Sequence, residues 1–131
     1  GGAESSHWKR DYSLKQVLLV ADTCLDPSII CGDFNDNAQA EFFNPLPIGW
    51  VIKPPVFEST KISGSYKYKG RWQTIDLCLT NIPALKSQII SLSTLLQKDP
   101  KWGGFKPHRR WQGQFYTNGF SDHLPVYFFK R

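Results

Sequence analysis

Residues 29–36 read Ile-Ile-Cys-Gly-Asp-Phe-Asn-Asp, and residues 121–126 read Ser-Asp-His-Leu-Pro-Val. In the first string an apolar run stops at a glycine, and carboxylate and amide side chains follow. That pattern predicts a short strand over 28–32, apolar enough to be buried on both faces, with a loop over 33–37 at its C-terminal end. In the second string a polar triplet precedes the apolar stretch Leu124 to Phe129, which predicts a strand closing a sheet. A third stretch, Arg71-Trp-Gln-Thr-Ile-Asp-Leu-Cys-Leu-Thr80, sets Asp76 among apolar neighbours that should bury it.

Outward from these strings, Leu14, Val17, Leu18, Ala21, Cys24 and Leu25 recur at helical spacing and predict an amphipathic helix over 7–25. Ser6 would be its N-cap, and Asp26-Pro27 its stop. His7 then falls in the first turn of that helix and stays outside any site. Residues 38–60 are interrupted by Pro45, Pro47, Pro54 and Pro55, with room for a short helix at Glu41-Phe42-Phe43. Residues 62–80 read as a hairpin turning at Gly70. Ile89 to Leu96 suits either a strand or a helical turn, and 97–120 is loop-rich. No repeat, low-complexity tract or apolar run long enough to span a membrane occurs.

Asp33, Asn35, Asp122 and His123 suit metal-assisted hydrolysis of a phosphoester. That chemistry needs charge on the nonbridging oxygens offset, a water oriented or deprotonated, and a leaving oxygen stabilised. Carboxylates such as Asp33 and Asp122 suit a hard ion like magnesium, which takes few protein ligands and keeps several waters. Neighbouring residues on a strand point to opposite faces, so Asp122 and His123 share a pocket only where the chain is turning. Gly119 before and Pro125 after make such a turn plausible. A buried Asp76 needs a partner, and His123 is the obvious one. The pair would fix the histidine's tautomer and raise its basicity. Each residue also has an ordinary explanation: an Asx turn for Asp33, a cap or surface pair for Asp122-His123, a salt-bridged core carboxylate for Asp76.

Taken together and in this order, the three strings resemble the GDxN motif, the intervening aspartate strand and the SDHxP motif of the endonuclease/exonuclease/phosphatase superfamily. That superfamily includes deoxyribonuclease-like and exonuclease III-like nucleases, inositol-phosphate phosphatases and sphingomyelinases. The resemblance implies an α+β fold. The chain would be the C-terminal half of a four-layer, deoxyribonuclease I-like sandwich with a mixed, largely antiparallel sheet. It covers nearly all 131 residues as a single partial domain. The family's N-terminal half, with a glutamate metal ligand and a substrate-side asparagine, has no counterpart here. Gly1-Gly2 with Arg10 resembles the start of a helix region in some bacterial members.

The implied activity is a divalent-metal-dependent phosphodiesterase, foremost an endonuclease-like nuclease. A phosphatase, a phospholipid phosphodiesterase or a non-catalytic nucleic-acid-binding fragment is the alternative. By the same resemblance Asp122 would bind Mg2+ or Mn2+, and Asp33 and Asn35 would activate water and hold phosphate. His123, oriented by Asp76, would stabilise the transition state or act as general acid–base. Pro107-His108-Arg109-Arg110 resembles a Pro-x-Arg stretch before the SDH motif, so Arg109 or Arg110 would bind the substrate phosphate.

Net charge is +5. Lys61, Lys67, Lys69 and Arg71 interleave with Tyr66, Tyr68 and Trp72. Lys98, Lys101, Lys106, Arg109 and Arg110 accompany Trp102, Phe105 and Trp111. Cations on phosphates and rings on bases make these fair nucleic-acid surfaces, and a solvated basic face with core aromatics is the plain alternative. With 40% apolar and 15% aromatic residues the chain can bury a modest core. Half a sandwich would leave an apolar sheet face open, so self-association or a need for the missing half is expected. Cys24, Cys31 and Cys78 all lie in apolar settings that suit buried thiols, with no zinc spacing. Nothing in the chain indicates a compartment.

Overall fold

A computed structural model describes residues 6–57 and 61–130. Gly1-Gly2 lie outside the described residues. The chain is α+β, with one α-helix and several small antiparallel sheets among the described residues. Helix α1 runs His7–Thr23. It ends earlier than its apolar spacing suggests, since Cys24 N–H closes the last turn onto Ala21 O at 3.0 Å and Leu25 is fully exposed. The Ser6 hydroxyl does not cap the backbone; it accepts from Arg10 Nη1 at 2.9 Å. Leu14 and Ala21 are the residues of the helix that bury completely.

Strands β1 (Ile29–Asp33), β2 (Val51–Lys53) and β5 (Asp76–Thr80) form the main sheet in the order β1-β5-β2. β1 runs antiparallel to β5, from Ile29 opposite Thr80 to Asp33 opposite Asp76. Here the structure corrects the expected double-sided burial of β1. The central, buried strand is β5, and β1 is an edge with Ile29 and Cys31 exposed. An apolar run records that a strand can be buried, whereas its position in the sheet is set by which strands arrive to flank it. Leu77 and Leu79 of β5 pack with Leu14, Ala21, Phe43 and Trp50 into a core between sheet and helix. Phe43 enters it from a 3-10 turn at Glu41–Phe43.

The expected hairpin divides in two. β3 (Tyr66–Tyr68) and β4 (Arg71–Gln73) pair across a Lys69-Gly70 turn with φ of 47° and 83°. Positive φ at both central residues is the tight hairpin geometry whose twist matches the strands. At Thr74-Ile75 the chain leaves this pair and enters β5. A second core, Ile62, Ile89 and Leu124, lies under β6 (Leu85–Ile89) and β11 (Val126–Lys130), which pair antiparallel. The stretch Ile89 to Leu96 combines the end of β6 with a 3-10 turn at Ser93–Leu95. The loop-rich segment holds four short strands: β7 (Leu96–Lys98) with β8 (Phe105–Pro107), and β9 (Trp111–Gln112) with β10 (Phe115–Tyr116). Among the described residues no helix is long and apolar enough to cross a membrane.

Candidate functional site

Phe34 N–H donates to Ile75 O at 2.9 Å. Hydrogen-bonded and non-hydrogen-bonded pairs alternate along an antiparallel ladder, so the next pair, Asp33 with Asp76, is of the non-hydrogen-bonded kind. Side chains come closest at such pairs, and two carboxylates placed there repel unless a cation lies between them. His123 supplies it. Its Nδ1 lies 2.8 Å from Asp76 Oδ2, and its Nε2 lies 3.9 Å from Asp33 Oδ2.

The backbone around His123 explains how it arrives there. His123 N–H donates to the Ser121 hydroxyl at 3.0 Å, a local turn that breaks the strand before β11. Tyr66 forms a backbone bridge to His123, and Leu124 N–H donates to Ser65 O at 2.7 Å. The Ser65 hydroxyl donates to the same Asp76 oxygen as the imidazole does. The Tyr66 ring stacks on the His123 ring, centroids 4.7 Å apart. Imidazole, carboxylate and ring thus hold one another in place.

The hydrogen bond that the imidazole donates to Asp76 raises the His123 pKa above its ordinary value. The charges of Asp76, Asp33 and Asp122 add to this, and partial burial opposes them. The His123 and Asp76 side chains are 23% and 20% exposed, so solvent screens the pair only in part. Asp33 is more open, at 37%.

Asn35 has φ of 53°, a left-handed conformation that asparagine adopts more readily than most residues. Its N–H donates to Asp33 Oδ1 at 2.8 Å, so the Asx turn also exists, on the same aspartate that faces His123. Asp33, Phe34 and Asn35 line a cleft of about 340 Å³ against α1, whose Lys9 and Arg10 stand on its far wall. Asp122 is exposed beside His123.

The two arginines part company. Arg109 donates from Nη2 to Lys67 O at 3.1 Å and lies 5.6 Å over the Tyr66 ring, on the assembly that holds His123. Its Nε is buried without a hydrogen-bond partner among the described residues. Arg110 instead lies over Tyr116 of the β9–β10 hairpin. His108 is engaged with Thr117 O.

Lys67 also departs from expectation. It is 7% exposed and paired with Asp99 at 3.0 Å, so it is no part of a solvated basic face. Lys69, Lys101, Lys106 and Arg109, with Trp102, line a groove of about 490 Å³ whose wall also holds the Lys67–Asp99 pair. Sequence reasoning missed Ser65, and read Tyr66 as a ring among basic residues without linking it to His123. Their roles depend on contact with a loop some sixty residues away, and no local pattern marks them.

Among the described residues no three His, Cys, Asp or Glu side chains converge as a closed metal site. Asp76 is occupied by His123 and Ser65. Exposed carboxylates at Asp122 and Asp33 fit a hard, mostly hydrated cation, which asks for one or two of them. No family model matches this chain, and no curated protein or solved structure matches it.

Proposed function

We propose that the chain is the C-terminal part of a divalent-metal-dependent phosphodiester hydrolase that acts on nucleic acid. The observation that carries this reading is the imidazole held between two carboxylates at the C-terminal end of β1 and the start of β5. Asp76 accepts from Nδ1 and leaves Nε2 on the side of Asp33, 3.9 Å away, itself a wall of the cleft against α1. That nitrogen can give a proton to a leaving oxygen or stabilise charge on phosphorus-bound oxygens. Asp33 faces the same space and can orient a water. Asn35, held by its turn, is placed to donate to phosphate. Asp122 would hold magnesium or manganese, which when bound offsets charge on the nonbridging oxygens.

We further infer that the architecture is half of a deoxyribonuclease I-like, four-layer sandwich. Support comes from the main sheet carrying α1 on one face. Its other side turns toward the second sheet. Cys31 and Asp76 from one, with Val126 and Phe128 from the other, line a cavity of about 220 Å³.

Nucleic acid is favoured as substrate because the basic, Trp102-bearing groove is joined to His123 through Arg109 and Tyr66. Plasmid nicking with magnesium, with EDTA, and with Asp122→Ala and His123→Ala tests the reading. Metal-dependent nicking, reduced about 10²- to 10⁴-fold by His123→Ala, is expected. A folded chain that leaves plasmid and single-stranded DNA intact with magnesium and with manganese means that the N-terminal half is required or that the substrate is not DNA. Nicking that survives both EDTA and His123→Ala contradicts the reading.

A further inference from the structure

Two residues before Asp33 on β1 stands Cys31, and two residues after Asp76 on β5 stands Cys78, directly opposite it. The ladder alternation that makes Asp33 and Asp76 a non-hydrogen-bonded pair makes Cys31 and Cys78 one too. At such pairs the Cα atoms stand about 4.5 Å apart. That lies inside the range of roughly 4.4–6.8 Å that a disulfide spans. Leu77 and Leu79 point into the helix-side core, so Cys78 between them points to the other face, with Cys31. Cys31 is exposed and Cys78 is wholly buried. Cys24 packs on the helix side, across the sheet from both.

We propose that Cys31 and Cys78 are a modification site that takes up a reversible cross-strand disulfide from a small-molecule disulfide oxidant. The exposed Cys31 thiolate attacks one sulfur of the oxidant, breaks its S–S bond and releases one thiolate. Cys78 then loses its proton, its thiolate attacks the Cys31 sulfur of the mixed disulfide, and a second thiolate leaves. The two protein thiols are oxidised, the oxidant is reduced to two thiols, and the two protons end on the released sulfurs. Lys53, opposite Cys78 on β2, favours the thiolate in the second step. Burial above all, with the neighbouring Cys31, holds the Cys78 thiol up at about 11. Cys78 is therefore silent toward external oxidants and reacts only with a sulfur delivered beside it. The bond would fasten the edge strand β1 to β5 next to the carboxylates that hold His123. Its formation does not depend on what that site hydrolyses.

The test starts from fully reduced protein, exposed to oxidised glutathione and digested without reduction for peptide mapping by mass spectrometry. The expected product is the Cys31 peptide joined to the Cys78 peptide with loss of two hydrogens. A dithiol should reverse it, and Cys24→Ser should leave it unchanged. Cys31→Ser should abolish both the link and any glutathione adduct at Cys78. A map with glutathione remaining on Cys31 and no link overturns the proposal, as does a link from Cys31 to Cys24 or to a second chain.

Discussion

His123 is the residue on which the site's electrostatics turn. Its pKa is raised first by the hydrogen bond to Asp76, then by three surrounding carboxylates. A pKa raised on folding means the pair's stabilisation is complete below the unfolded value of about 6.5 and fades as pH climbs through the folded value. Proton NMR of the imidazole should therefore show a midpoint above 6.5 in the wild-type chain and a lower one in Asp76→Asn. The same substitution should destabilise by about 1–2 kcal/mol near pH 6, and by less near pH 9, in denaturant melts. An imidazole midpoint at or below 6.5 would contradict the arrangement. That Asp76 and His123 meet was legible in the sequence, because a carboxylate set between Ile75 and Leu77 demands a partner. The stacking of Tyr66 and the hydroxyl of Ser65 were not legible, because tertiary contact alone brings them to the histidine.

At the level of elements, composition separates strand from loop better than it separates centre from edge. Ile29-Ile30-Cys31 and Leu77-Cys78-Leu79 look alike in sequence, yet β5 is flanked on both sides and β1 on one. The exposed Cys31 follows from that difference, as does the split of the hairpin at Thr74-Ile75. Leu79 is fully buried, and Ile29 is 43% exposed. Leu79→Ala should cost about 2–5 kcal/mol through lost transfer energy and the cavity left behind. Ile29→Ala should change stability by no more than about 0.5 kcal/mol, as surface substitutions commonly do. Urea melts of the two variants compare them directly, and equal losses would mean that β1 is covered in solution. The basic clusters were half legible for a similar reason. Lys67 reads as one of a series in the sequence, but the fold turns it onto Asp99 and leaves the surface charge to its neighbours.

For the whole molecule, the open edges decide how the chain behaves in solution. β2 is short, carries Lys53 and runs into Pro54-Pro55, a combination that blocks further strand pairing. β1 has no such protection until Asp33. Among the described residues no strand pairs with its outer edge, which lies beside exposed Ile29. Two copies can pair antiparallel along β1, burying Ile29 and extending the sheet. A net charge of +5 opposes that approach. Added salt shortens the screening length from about 30 Å at 0.01 M to about 3 Å at 1 M and relieves the repulsion. Light scattering should therefore show an average mass that rises with both protein concentration and salt. Ile29→Lys places a charge on the edge, as natural sheets do to discourage pairing, and should return the chain to monomer at every salt concentration. A wild-type chain that stays monomeric throughout would mean the β1 edge is already satisfied. Association that persists unchanged in Ile29→Lys would move the interface to another surface, of which the aromatic β9–β10 hairpin, with Trp111, Phe115 and Tyr116 exposed, is the next to test.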